Sequence, residues 1–259
     1  MKHLNYILLL MIVLFYSCDD DKNRTIKIMP VGNSITAGEH YGFPDIEERT
    51  GYRKALYELL IKEKFSVDFV GSTSHGKKEN DNNWYDWNSE SYPGWKIESI
   101  ADTVLKTLPV YKPDILLMHV GTNGRNWEEK PLQLEQFLDG INNFSIQNKH
   151  NITVFLALIL DFFEGNPEVS YYNEAVKDMI ANRRNDSIKI ILVDMEKGAG
   201  FDYSDNDPDP SSEYTGGDMW GRKFPGVEYD FAHPNEKGNK KMAKKWFEEL
   251  KPFLKEYKR

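Results

Sequence analysis

The feature that most constrains this 259-residue chain is an alternation of short apolar runs with longer stretches of helical hydrophobic period. The runs are residues 26–31, 67–71, 114–121, 152–160 and 188–193. Being apolar at nearly every position, they suit strands covered on both faces, and parallel strands of that kind need long crossovers between them. The stretches between them supply the crossovers. Residues 53–64 carry Leu56, Leu59 and Leu60 at helical spacing, and 97–108 carry Ile97, Ile100, Ala101, Val104 and Leu105. Residues 132–146 and 171–184 fit two more helices. A last one, 235–257, puts Met242, Trp246, Leu250 and Phe253 on one face, with Pro252 expected to kink or restart it. The expected fold is α/β: a three-layer α/β/α sandwich around a doubly wound sheet of five parallel strands. No internal repeat or low-complexity linker divides residues 26–259, so one domain is expected there.

Ahead of that domain, Met1-Lys2-His3 leads into an apolar stretch from Tyr6 to Tyr16, well short of the ~20 residues that cross a bilayer as a helix. Residues 1–17 are therefore expected to be a signal peptide. Cys18, the single cysteine, follows Ser17 and precedes Asp19, Asp20 and Asp21. This resembles a bacterial lipoprotein signal and implies lipidation at Cys18, a tether over 18–25 and a place in the cell envelope on the outer membrane. Cleavage into the periplasm or medium is the alternative. A lone cysteine excludes an internal disulfide and the paired-cysteine metal patterns. A net charge of −8 argues against nucleic acid as a partner, because phosphate binding is driven by lysines and arginines that release counterions.

In an open parallel sheet, ligands bind where loops leave the carboxyl ends of the strands. Those loops are residues 32–44, 72–94, 122–131, 161–167 and 195–233. The first begins GNSIT, with Ser34 just beyond a strand tip. Thr36 stands where a GxSxG nucleophile elbow would have its second glycine, so Ser34 needs partners elsewhere. Among six histidines, His3 falls in the signal, and His40 and His75 fall in polar loops. His119 falls within an apolar run, where packing is expected, and His150 in a short connection. His233 differs: Asp230 lies three residues before it and Pro234 follows. One turn can then present both side chains, with the carboxylate accepting from Nδ1–H and Nε2 left to face a nucleophile. Pro234 keeps His233 out of the helical conformation.

Taken together, these segments resemble the SGNH (GDSL-type) hydrolases, whose four marker blocks occur here in order. Ser34 in GNSIT matches the first, Gly94 in YPGW the second, Asn123 in HVGTNG the third, and Asp230 with His233 in DFAHP the fourth. Asn33 replaces a commoner aspartate, as does Gly124. The resemblance implies a flavodoxin-like order for the sheet and a serine esterase needing no cofactor or metal. Ser34, Asp230 and His233 would be catalytic. The oxyanion hole would be formed by the N–H groups of Ser34 and Gly94 and by the Asn123 amide.

GYRKALYELL, VDFVGS and YPGWKI also look like the carbohydrate-esterase branch of that family, including acetyl xylan esterases. Trp84, Trp87, Trp95, Trp127 and Trp220 fall in the same loops and are candidate platforms for sugar rings. The expected partner is an acetylated carbohydrate. A lipase or thioesterase on the same scaffold, or a glycan-binding lipoprotein with a vestigial site, are the alternatives. Two look-alikes carry less. Asp205, Asp207 and Asp209 alternate as in a calcium loop, but Pro210 replaces its glycine and Gly216 its glutamate, and a solvated loop is expected. GSTSHGKK at Gly71 nearly spells a phosphate loop, yet Lys78 stands where the Mg²⁺-binding hydroxyl belongs.

Overall fold

The structure, a computed structural model, describes residues 24–39, 49–76, 85–162, 165–184, 186–203, 217–220 and 232–257. Cys18, the signal, His40, Trp84, Asp205, Asp207, Asp209 and Asp230 lie outside them. The first strand, β1 (Ile26–Gly32), leads directly into a four-residue helix α1 (Ser34–Ala37) and then α2 (Gly51–Lys62). There follow β2 (Val67–Phe69), β3 (Glu90–Ser91), α3 (Ile97–Tyr111), β4 (Ile115–His119) and α4 (Lys130–Asn148). The chain continues through β5 (Thr153–Leu158), α5 (Pro167–Asn182), β6 (Lys189–Asp194) and α6 (Glu236–Tyr257).

All the strand pairs are parallel, and the main sheet runs β2-β1-β4-β5-β6. Counted over those five strands alone, this is the 2-1-3-4-5 order expected of a flavodoxin-like sheet. The alternation of side chains divides the core. Met29, Val31, Leu116, Met118, Val154 and Leu156 face the cluster formed with α3, α4 and α5. Ile26, Ile28, Ile115, Leu117 and Phe155 face the opposite cluster, formed with α2 and α6. Both faces are covered, so the strands read as unbroken apolar runs.

The structure adds a sixth strand. β3 pairs with β1 at Val31 and Gly32, where β2, which pairs with Ile26 to Ile28, has already ended. Other differences are at boundaries. α5 begins four residues before the expected start because Asn166 caps it, accepting from the N–H groups of Glu168 and Val169, and Pro167 opens its first turn. α6 is one helix through Pro252, without a restart. His75, expected in a polar loop, is buried, with Nδ1 3.2 Å from the Ser91 hydroxyl. Among the described residues, no helix is long and apolar enough to cross a membrane.

Candidate active site

The tip of β1 is built around a close approach. A Cβ on Gly32 would lie 2.2 Å from the Thr36 hydroxyl and 2.7 Å from the His119 carbonyl, so only glycine lets the chain turn there into α1. Asn33 caps α1, its Oδ1 accepting from the Ile35 N–H at 3.2 Å. The asparagine thus performs the capping that an aspartate would, and its Nδ2 has no partner among the described residues. Ser34 follows as the first helical residue, where a backbone N–H has no acceptor within the helix.

Ser34 Oγ lies 2.8 Å from His233 Nε2, although 199 positions separate them in sequence. His233 is held by the segment 217–220. Its carbonyl accepts from Trp220 N–H, and the Asn235 side chain donates to the carbonyls of Gly217 and Met219 while its Oδ1 caps α6 at Lys237 and Gly238. Asp218 is tied in turn to Lys241 of α6 at 2.5 Å. Both Ser34 and His233 are about nine-tenths buried. For Nε2 to accept the serine proton, the imidazole proton must sit on Nδ1.

Register brings the other marker residues to the same end of the sheet. Gly32 pairs with Ser91 of β3 and with His119 of β4, placing the 92–94 and 120–123 segments on either side of Ser34. Gly94 has φ +78°, a left-handed conformation, and among the described residues no atom beyond its chain neighbours would lie within 4 Å of a Cβ there. Among the described residues its surroundings are open, as the approach of a ligand requires. Asn123 Nδ2 donates to the Trp95 carbonyl at 3.0 Å. That bond fixes which amide atom is which and leaves the second N–H free to point elsewhere.

The tryptophans separate. Trp95 is exposed and stacks on Tyr92 with ring centres 4.5 Å apart. Tyr92 is anchored through its hydroxyl to Glu90 and Ser72, and burial together with the neighbouring Glu90 carboxylate pushes its phenol well above the usual range. Trp127, expected as an open platform, is instead buried in the core cluster. Lys130 Nζ lies over its ring at 3.0 Å, and desolvation pulls that ammonium down to about 8. Trp87 is half-buried, edge-on to Tyr85, and Trp220 is half-buried, its backbone N–H donating to the His233 carbonyl. Trp246 fills the core beneath α6, as expected.

Two buried charges frame the site and were not singled out from sequence. Arg53 of α2 is fully buried, and its guanidinium donates to the carbonyls of Thr36, Ala37, Arg49, His75 and Trp87 at 2.6–3.1 Å. It thereby joins the end of the Ser34 helix to the 72–94 loop. Its spacing with Leu56 and Leu60 on the buried face of α2 was the available signal. Glu90, also fully buried, accepts from the Ser72 N–H and hydroxyl and from Tyr92. His119 behaves as packing: its Nε2 accepts from Leu160 N–H, and burial pulls it down to about 4. Among the described residues no group of three or more His, Cys, Asp or Glu is placed to hold a metal.

A hydroxyl hydrogen-bonded to an imidazole, beside an open glycine turn and a fixed amide, is an arrangement suited to acyl transfer. The family model for GDSL-like lipases and acylhydrolases matches residues 28–246. The chain belongs to this family of carboxylic ester hydrolases. Among its relatives is a multidomain esterase of Ruminococcus flavefaciens, 30% identical over 89% of this chain, which spans 29% of that protein's length. An acetyl esterase with a bound acetate ion is similar in fold, with a TM-score of 0.66 at 20% identity over 90% of this chain and 99% of the other. So is a family 3 carbohydrate esterase of Clostridium thermocellum, with a TM-score of 0.61 at 23% identity over 91% and 100%. The chain thus carries the GDSL-type scaffold.

Proposed function

We propose that this esterase removes acetyl, or similarly short acyl, groups from a carbohydrate chain, using Ser34, His233 and Asp230. The single observation that carries the chemistry is the 2.8 Å contact of Ser34 Oγ with His233 Nε2. His233 takes the hydroxyl proton as Ser34 attacks the ester carbonyl, and Asp230 accepts from Nδ1–H and stabilises the imidazolium. The oxyanion is met by the N–H groups of Ser34 and Gly94 and by Asn123 Nδ2. His233 then gives that proton to the departing sugar oxygen, which leaves as the free hydroxyl. Water, deprotonated by the same histidine, releases acetate from the Ser34 ester.

The open turn at Gly94 and the exposed face of Trp95 beside it favour a bulky, ring-bearing alcohol. The likeness to proteins described as acetyl and carbohydrate esterases agrees. We place the protein, again as a proposal, in the bacterial envelope through a lipid on Cys18.

Acetate release across a panel of acetylated polysaccharides, with Ser34→Ala alongside, tests the reading. Release that vanishes in Ser34→Ala is expected. A preference for butyryl or longer nitrophenyl esters over acetyl would move the assignment to a lipase or thioesterase, and unchanged glycan affinity with no release would leave a binding protein. Incorporation of labelled palmitate that is lost in Cys18→Ala is expected for the anchor.

A further inference from the structure

A cavity of about 410 Å³ opens between the loop that follows β4 and the start of α5, a volume ordinary for a small-ligand site. Arg125, Asn126, Trp127, Glu128, Glu168 and Tyr171 line it. Both walls rise from the carboxyl ends of neighbouring strands, the edge that carries Asn123. Two peptide units separate Asn123 from Arg125, so their Cα atoms are at most about 8 Å apart.

Two observations point to an occupant. Tyr171 exposes 51% of its surface, and its side chain makes no hydrogen bond or ring contact among the described residues. Its neighbour Tyr172 is buried and donates to the Val120 carbonyl at 3.0 Å, so packing of α5 is already satisfied without Tyr171. The opposing wall is rigid. Trp127 is clamped by Lys130 above its ring and by Phe162 and Tyr172 edge-on at 6.2 and 6.4 Å. A half-exposed aromatic facing a fixed wall offers an apolar surface at small entropic cost. Around it, the Arg125 and Asn126 side chains can donate to hydroxyls, and the Glu128 and Glu168 carboxylates can accept from them. One guanidinium against two carboxylates leaves the lining net negative, which disfavours a uronate or phosphate.

We infer that this cavity is a subsite for a neutral pyranose ring, one or two residues along the chain from the ring whose ester reaches Ser34, with Tyr171 stacking on its C–H face. The inference rests on the deacetylase reading and deepens it by locating where a neighbouring ring of the chain binds. Calorimetric binding of unacetylated β-1,4-linked hexasaccharides of xylose, mannose and glucose to the full chain tests it, with the matching disaccharides for comparison. At least one hexasaccharide should bind more tightly than its disaccharide. Tyr171→Ala should weaken that binding about tenfold, near the most that one aromatic contact contributes, while Tyr171→Phe retains it. Arg125→Ala should weaken it as well. Hexasaccharide binding unchanged in folded Tyr171→Ala and Arg125→Ala, or absent in the wild type, overturns the subsite. Acetate release without hexasaccharide binding would remove the subsite and leave the deacetylase. Binding that is lost in Tyr171→Ala, with no acetate release from any glycan, would keep the subsite and remove the deacetylase.

Discussion

Arg53 makes the most exacting test of how the nucleophile is held. Its guanidinium serves five carbonyls on three segments: Thr36 and Ala37 at the end of the Ser34 helix, Arg49 just before α2, and His75 and Trp87 in the 72–94 loop. Arg53→Lys keeps the charge and most of the stem but offers three donors in place of five, so at least two buried carbonyls lose their partners. An orphaned buried polar group costs about 1–3 kcal/mol, which makes the expected destabilisation about 2–6 kcal/mol. That is a large part of a folded domain's ~5–15 kcal/mol.

Urea unfolding is the assay. With a slope of about 3 kcal/mol per molar, the midpoint should fall by roughly 0.7–2 M while the slope itself stays constant. In the fraction that remains folded, kcat on 4-nitrophenyl acetate should fall more than KM rises, because the carbonyls released belong to the helix that Ser34 begins. A midpoint within about 0.2 M of the wild type would refute the reasoning, since it would mean that the carbonyls find other partners at no cost.

Asn123→Ala should lower kcat by about 10²–10³ with little change in KM, the loss typical of one oxyanion donor; an equal rise in KM would make the amide a substrate-binding group instead. His75 and His119 are both pulled down to about 4 by burial, against about 6.5 in an unfolded chain. Above pH 6.5 both states are neutral, and between 6.5 and 4 only the unfolded state gains protons. Stability should therefore fall on acidification by up to about 1.4 kcal/mol per pH unit for each histidine, and an unfolding free energy flat from pH 6.5 to 5 would count against this. Trp246→Ala should cost about 3–5 kcal/mol by thermal unfolding. Trp246→Phe should cost much less, because the indole N–H that it removes has no partner among the described residues.

Where the chemistry is local, the sequence was readable. The β1 tip and the order of apolar runs each depend on residues adjacent in the chain, and the strands fall where those runs fall. Elements set by a partner were not. β3 has two residues and hence no period to detect, and it exists because Val31 and Gly32 of β1 leave an edge unpaired beyond β2. The tryptophans fail for a related reason. Their loops could be placed at the catalytic end of the sheet, but whether a ring faces water depends on what stands beneath it: Tyr92 under Trp95, Lys130, Phe162 and Tyr172 around Trp127.

Arg53 and Glu90 extend that argument to charge. A charged residue in a sequence is read first as solvated, because burial of an unpaired ion is costly. Each of these is affordable only in its finished surroundings, Arg53 among five carbonyls from three segments and Glu90 among the Ser72 and Tyr92 donors. Their ligands come from the segments that carry Ser34 and Gly94, so forming those ligand sets and aligning Ser34 with the Gly94 turn are one folding event. The site's precision would then depend on buried ions that no marker block contains. In a relative that keeps all four blocks but replaces Arg53 with an apolar residue, the Ser34–His233 contact should loosen although every marker position is filled.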